Sequence, residues 1–387
     1  MRLLRPGSWI AAILFLLAAI EVVPHLEERL LADTPNTPHR VRVTPGMQPT
    51  YSVEAGIDGE VFPALANYAS LQRTDDRGFG TFTVTVTNSG ESVLNARISL
   101  QVPGWSDTEL QNVSLGTGEM RKLLFAPVFL PRLYTNHEIA AASALLRVAD
   151  ANNQILHTET VPVRMRSVDD IYWGHDFKFA AFIASWVTPH DPRVEAILSK
   201  AKEFMPGRRL PGYEEWKSPD QQRLMTREEA RAIYRALQET GVSYVKSSRT
   251  FGLNTDISER VRLPGESLQE RSANCIDGVV MYASLFENLG MDPVVVLVPG
   301  HAYVGVRESD KSDSYLYIET AITGRAPFDV AAKTASAGVA KFAAKDVIRI
   351  PISDARSAGI YPMPLPGQDF HHFPAPDPSS QVSTAGR

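Results

Sequence analysis

The chain of 387 residues has one cysteine, Cys275. No intramolecular disulfide is available, which suits either a reduced compartment or an exported protein that does without such staples. A dominant charge sign is also missing, since 39 Lys and Arg stand against 44 Asp and Glu for a formal net charge of -5. Nowhere do basic residues cluster with interleaved aromatics, so no nucleic acid is expected as a partner. Phosphate-cradling loops and dinucleotide fingerprints are absent, and the acidic stretch "ESDKSDS" lacks the glycine and terminal glutamate of a calcium loop. No cofactor and no metal site is therefore expected. The pair His371 and His372 lacks the convergent ligands a metal requires.

What is present begins with an export signal. Arg2 and Arg5 precede an apolar run from Trp9 to Ile20, which reads as a signal anchor or signal peptide over residues 1–31. The run is short for a membrane span. No A-x-A cleavage site follows it convincingly, however, and Leu3, Leu4 and Trp9 lengthen the apolar segment, so a single N-terminal membrane helix is preferred over cleavage. The positive flank stays inside, which puts the body in the periplasm or outside the cytoplasmic membrane. A cleaved form would be secreted or periplasmic.

The chain reads as multidomain, because its length exceeds what one core usually serves. Residues 32–48, polar and carrying three prolines, form a linker. Residues 49–168 show short alternating runs between turn residues, as in "TFTVTVTNSGES", where Phe82, Val84 and Val86 alternate with threonines and Asn88-Ser89-Gly90 supplies a turn. The spacing predicts an all-β immunoglobulin-like sandwich of about seven strands, a domain that binds, spaces or presents. Residues 169–355 turn helical and then mixed α+β, and 356–387, dense in Pro, Ser and Gly, reads as a disordered tail. Asp191 with Pro192 starts one helix, and that capping context makes His190 structural rather than a ligand. A second helix runs from Arg227 to Gly241, with Ala230, Ile233, Tyr234 and Leu237 on its buried stripe.

A lone cysteine is ordinarily a small core hydrophobe. Its position argues otherwise here. Ile276, Val279, Val280, Ala283 and Phe286 recur at helical spacing and Gly290 ends the run, so Cys275 falls in the first turn of a buried helix. There the unpaired amides and the positive dipole end favour a thiolate and can hold an oxyanion. A buried strand, Val294–Val298, follows, then a Pro299-Gly300 turn and a second strand opening with His301. Folding that strand onto "YLYIET" about Asp310 sets Tyr303 against Tyr317 and His301 against Glu319, with Ala302, Val304, Leu316 and Ile318 on the opposite, apolar face. The pattern pairs a nucleophile with a base, His301, and a carboxylate that orients it, Glu319.

These residues resemble the transglutaminase-like branch of the papain-like cysteine enzymes, in the version found in exported bacterial proteins. The likeness rests on "NCID", "LFENLG" and "VPGHAYVGV…IET" and covers Ser185 to Ala321. It implies an α+β papain-like domain in which Cys275, His301 and Glu319 are catalytic, with Glu319 standing where the family usually has Asp and Asn274 where many members have Gly. It also implies an oxyanion donor six residues before the cysteine, which is Gln269, with Glu266 as the other occupant of that turn. The activity implied is acyl transfer, or hydrolysis of an amide or isopeptide, through a thioester on a protein or cell-envelope peptide. The alternative is a noncatalytic relative acting as an envelope peptide-binding or assembly module.

Overall fold

The computed structural model describes residues 50–73, 77–246 and 257–365. The signal segment 1–31, the linker 32–48 and the His371–His372 pair lie outside them. Among the described residues no helix is long and apolar enough to cross a membrane.

Among the described residues the alternating half contains eight strands: β1 (Thr50–Ala55), β2 (Glu60–Val61), β3 (Phe82–Thr87), β4 (Leu94–Gln101), β5 (Glu109–Leu115), β6 (Met120–Phe125), β7 (Ala140–Asp150) and β8 (Ile155–Met165). They form one sheet in the order β1-β3-β6 and another in the order β2-β8-β7-β4-β5. Phe82, Val84 and Val86 from the first and Ile98, Leu100, Leu146 and Val148 from the second are buried in one shared core. Alternation does this directly, because residues two apart share a face. Asn88 closes its turn by donating Nδ2 to the Ser92 and Leu115 carbonyls and accepting from Gly90 N–H.

The alternating pattern gave no sign of helix α1 (Pro63–Leu71) between β2 and β3. Its residues Pro63 through Ala69 are all buried, so it shows no polar stripe to betray a helical period. Ala66 joins the sheet core while Leu65, Tyr68 and Ala69 face the second half, with Tyr68 edge-on to Phe182 at 5.2 Å and Phe62, just before the helix, 5.1 Å from Tyr172. At the same junction the fully buried Arg166 lies against Glu60 at 3.4 Å and Asp170 at 3.0 Å, its guanidinium over the Phe62 ring.

The second half starts with β9 (Asp170–Tyr172), then α2 (Pro192–Ala201) and α3 (Pro219–Thr240). Asp191 caps α2 by accepting from Arg193 N–H at 2.8 Å, and His190 beside it is exposed. Helix α3 begins eight residues before the expected Arg227, because Ser218 caps it and Pro219 fits its first turn. Gly241 stops it in the left-handed conformation, φ 86°. Next come β10 (Ser243–Tyr244), β11 (Ser258–Arg260), α4 (Pro264–Glu270), β12 (Ser272–Ala273) and α5 (Cys275–Asn288). The chain continues with β13 (Pro293–Val298), β14 (His301–Arg307), β15 (Tyr315–Ile318), α6 (Phe328–Val339), β16 (Ile348–Pro351) and α7 (Ile352–Ser357).

An antiparallel sheet in the order β15-β14-β13-β16 carries α5 on one face and α6 on the other. Ala302, Val304, Leu316 and Ile318 meet α5 in the larger core. Val294, Val296 and Tyr303 meet α6. The expected break to a tail at residue 356 comes too early. Ile360 and Met363 are buried in the larger core, Met363 N–H donates to the Ser185 carbonyl, and Arg356 pairs with Glu287 at 2.8 Å.

Candidate active site

Cys275 is the first residue of α5, and the residues around it explain why a helix starts there. Asn274 accepts from Asp277 N–H at 2.8 Å, and Asp277 accepts from Asn274 N–H at 3.1 Å, a reciprocal capping box. The Asn in place of Gly before the cysteine is therefore the cap itself. Asp277 is buried and also accepts from Arg262 through Nε at 3.0 Å, Nη2 at 2.9 Å and backbone N–H at 2.9 Å. That double grip holds the first turn in place. With the Asn274 and Asp277 amides used in the box, the Cys275 and Ile276 N–H groups have no intrahelical acceptor.

His301 opens β14 across the Pro299-Gly300 turn, where Gly300 takes a φ of +76° that a side chain would resist. Its Nε2 is 2.8 Å from Oε2 of Glu319, which leaves Nδ1 for the cysteine. Hydrogen bonding to Cys275 and then to Glu319 outweighs burial and pushes the imidazole pKa up to about 10. The ring of Tyr303 stands edge-on to the imidazole, centroids 4.7 Å apart, and limits its rotation.

The hairpin register differs from the expected one by two residues. Val304 pairs with Ile318 and Gly305 with Tyr317, so the fold centres on Lys311 instead of Asp310. Extending that pairing puts Glu319 opposite Tyr303 and one diagonal step from His301. A shift of two preserves the faces, which is why the apolar set stayed together. Diagonal neighbours are about 7–8 Å apart at Cα, and the extra methylene of Glu over Asp helps close that gap. The other oxygen, Oε1, accepts from Ala321 N–H at 3.0 Å and caps the short 3-10 turn Thr320–Ile322. Both oxygens of Glu319 are thus committed.

Gly278 brings that turn to the helix. A Cβ at Gly278 would lie 2.7 Å from Thr320 Oγ1 and 2.9 Å from Thr320 Cβ, while Thr320 Oγ1 donates to the Cys275 carbonyl at 3.2 Å. We expect Gly278→Ala to cost about 1–3 kcal/mol by overpacking, measured by urea denaturation, and to lower thiol reactivity by displacing Glu319. Wild-type reactivity together with wild-type stability would show that the close approach does not matter.

Gln269 is not brought to this group. The last turn of α4 leaves it exposed with Oε1 accepting from Arg193 at 2.7 Å, and Arg271 (φ 54°) together with β12 intervenes before the cysteine. Glu266 faces His137 instead, at 3.6 Å. The residue that sequence reasoning missed is Tyr244. Strand β10 pairs in parallel with β12, immediately before Asn274, and the half-exposed phenol has its pKa raised by burial and by the charges of Cys275 and Glu319. The only advance signal was the Gly241 helix stop three residues earlier.

No protein-family model matches the chain, and the comparison with curated proteins found no match. Among solved structures it has a likeness to Astrotactin-2, described as a conserved vertebrate-specific and perforin-like membrane protein involved in neuronal development. The match has 13% identity over 50% of this chain and 31% of that one, with a TM-score of 0.17. A score that low carries no argument, and the site must be read from its own geometry. That geometry offers a half-buried thiol, an imidazole braced by a carboxylate, and free helix amides, the groups that chemistry through a thioester uses.

Proposed function

We propose that the chain is a cysteine-dependent enzyme that cleaves or transfers an acyl group from an amide or isopeptide, with Cys275, His301 and Glu319 as its triad. The observation that carries this is the division of labour on the imidazole: Glu319 holds Nε2, leaving Nδ1 for a cysteine at a helix start. In the first half-reaction the Cys275 thiolate attacks the substrate carbonyl, and the Cys275 and Ile276 amides stabilise the oxyanion. His301 then passes the thiol proton to the leaving amine, and the tetrahedral centre collapses to a thioester. Water, or a second amine, attacks that thioester with His301 as base and frees the thiol. Glu319 supports the imidazolium through its contact with Nε2.

In this reading the second half is a papain-like domain of the transglutaminase-like kind, supported by the order Cys-helix, His-strand, carboxylate. The sheet pair before it is an immunoglobulin-like module. The substrate class, a protein or cell-envelope peptide, rests on the export signal of the sequence alone. Iodoacetamide labelling near pH 6, with the adduct located by mass spectrometry, tests the reading. Rapid modification of Cys275 in the folded protein is expected. Resistance until the protein unfolds would leave Cys275 as a packing residue and the chain as a noncatalytic module.

A further inference from the structure

Away from the triad, His137, Asp169 and Glu266 bring one ligand atom each to within 4.8 Å of one another. They come from three separate stretches: the segment before β7, the segment before β9, and α4. One backbone bond and one side-chain bond hold the first two together, with Val168 N–H donating to the Asn136 carbonyl at 2.8 Å and Asn136 Nδ2 donating to the Arg166 carbonyl at 3.2 Å. His137 lies between the carboxylates, Nδ1 3.5 Å from Asp169 Oδ2 and Nε2 3.6 Å from Glu266 Oε1.

Asp169 supplies the second observation. Its side chain is fully buried, and Oδ1 has no hydrogen-bond partner. Buried acceptors are rarely left so, since the lost hydration is uncompensated. The other oxygen, Oδ2, is gripped by Arg260 through Nε at 3.1 Å and Nη2 at 2.9 Å. Oδ2 is also the oxygen nearest His137, so Oδ1, the unpartnered atom of the same carboxylate, is the one left to take a further ligand.

We propose that His137, Asp169 and Glu266 bind one divalent transition-metal ion, with Zn2+ the ion this donor set suits. One imidazole and two carboxylates are borderline-hard donors, and the two negative charges balance the ion. Arg260 adds a positive charge beside it, which weakens binding but does not block Oδ1. Bonds of 2.0–2.2 Å in a tetrahedron place ligand atoms roughly 3.4 Å apart. Closing to that distance requires His137 to turn one ring nitrogen inward and Glu266 to follow. Both are partly exposed, at 49% and 27%, whereas the Asp169 side chain is fully buried. Water fills the fourth position. The ion ties the β-rich half to α4, the helix that runs through Arg271 and β12 into Cys275.

The test is calorimetric titration of Zn2+ into the full chain carrying Cys275→Ala, so that the thiol cannot hold the metal, alongside thermal melts with and without Zn2+. One bound Zn2+ per chain and a higher melting temperature are expected. His137→Gln and Glu266→Gln, both at partly exposed positions, should each weaken binding by at least the roughly 10–100-fold that loss of an outer-shell partner costs and remove the thermal shift. Two results overturn the proposal: Zn2+ affinity unchanged in both variants, which places the metal elsewhere, or no binding by the parent up to millimolar Zn2+. The second outcome leaves the cluster as an ion-pair network closed by Arg260.

Discussion

Cys275→Ala abolishes turnover of a thioester or amide substrate, a loss of at least about 10^4-fold, as expected for a nucleophile whose partners act with it as a unit. The fold survives the change. Cys275 is only half-buried, its Sγ is not part of the capping box, and Asn274, Asp277 and Arg262 still start the helix without it. The melting temperature should therefore stay within about 5 °C of the native value, given that roughly 1 kcal/mol shifts a domain of this size by a few degrees. Full loss of activity with an unchanged melt supports a nucleophile. Retained activity sinks the enzyme reading, and collapse of the fold assigns Cys275 to packing.

Glu319→Gln gives the second large effect, a fall in kcat of about 10^2-fold or more with KM little changed, because the lost charge matters when the imidazolium forms. The pH profile separates this from a general loosening. His301 has a folded-state pKa of about 10 against an ordinary value near 6.5. The native enzyme should keep its protonated imidazole through neutral pH and lose activity as pH rises through about 10. Removing the Glu319 charge moves that alkaline limb to lower pH. Linkage has the same sign: a raised histidine pKa contributes stability that is fully present below about 6.5 and is lost as pH rises through about 10. His301→Ala should be worse than Glu319→Gln, since it removes the base. Equal kcat in Glu319→Gln and the native chain would show that the 2.8 Å contact has no part in turnover.

The legible parts of the fold share one property, a local pattern. The buried run from Ile276 to Phe286, the Pro299-Gly300 hairpin and the Phe82–Val86 alternation could all be read because their periods are short. The His301–Glu319 contact was legible for a partly mistaken reason. Face parity follows from the apolar residues, but register depends on where a seven-residue loop reverses, and nothing in "ESDKSDS" chooses Lys311 over Asp310. Helix α1 escaped because a segment buried all round carries no period. Gln269 misled because counting six residues back from a cysteine ignores a left-handed residue and a strand in between. Tyr244 and the His137 cluster come from chain crossings, which no single stretch records.

The placement of α1 bears on how such a protein can evolve. The helix is threaded between strands of the first half, yet Leu65, Tyr68 and Ala69 complete the larger core of the second. Cutting at the linear boundary near residue 168 would take Tyr68 away from Phe182 and Phe62 away from Tyr172 and leave apolar surface open to water. The two halves are therefore not interchangeable cassettes. A recombination event that swapped the β-rich half for another would have to bring a replacement for this helix, so sequence change on the two sides of the junction is bound to proceed together.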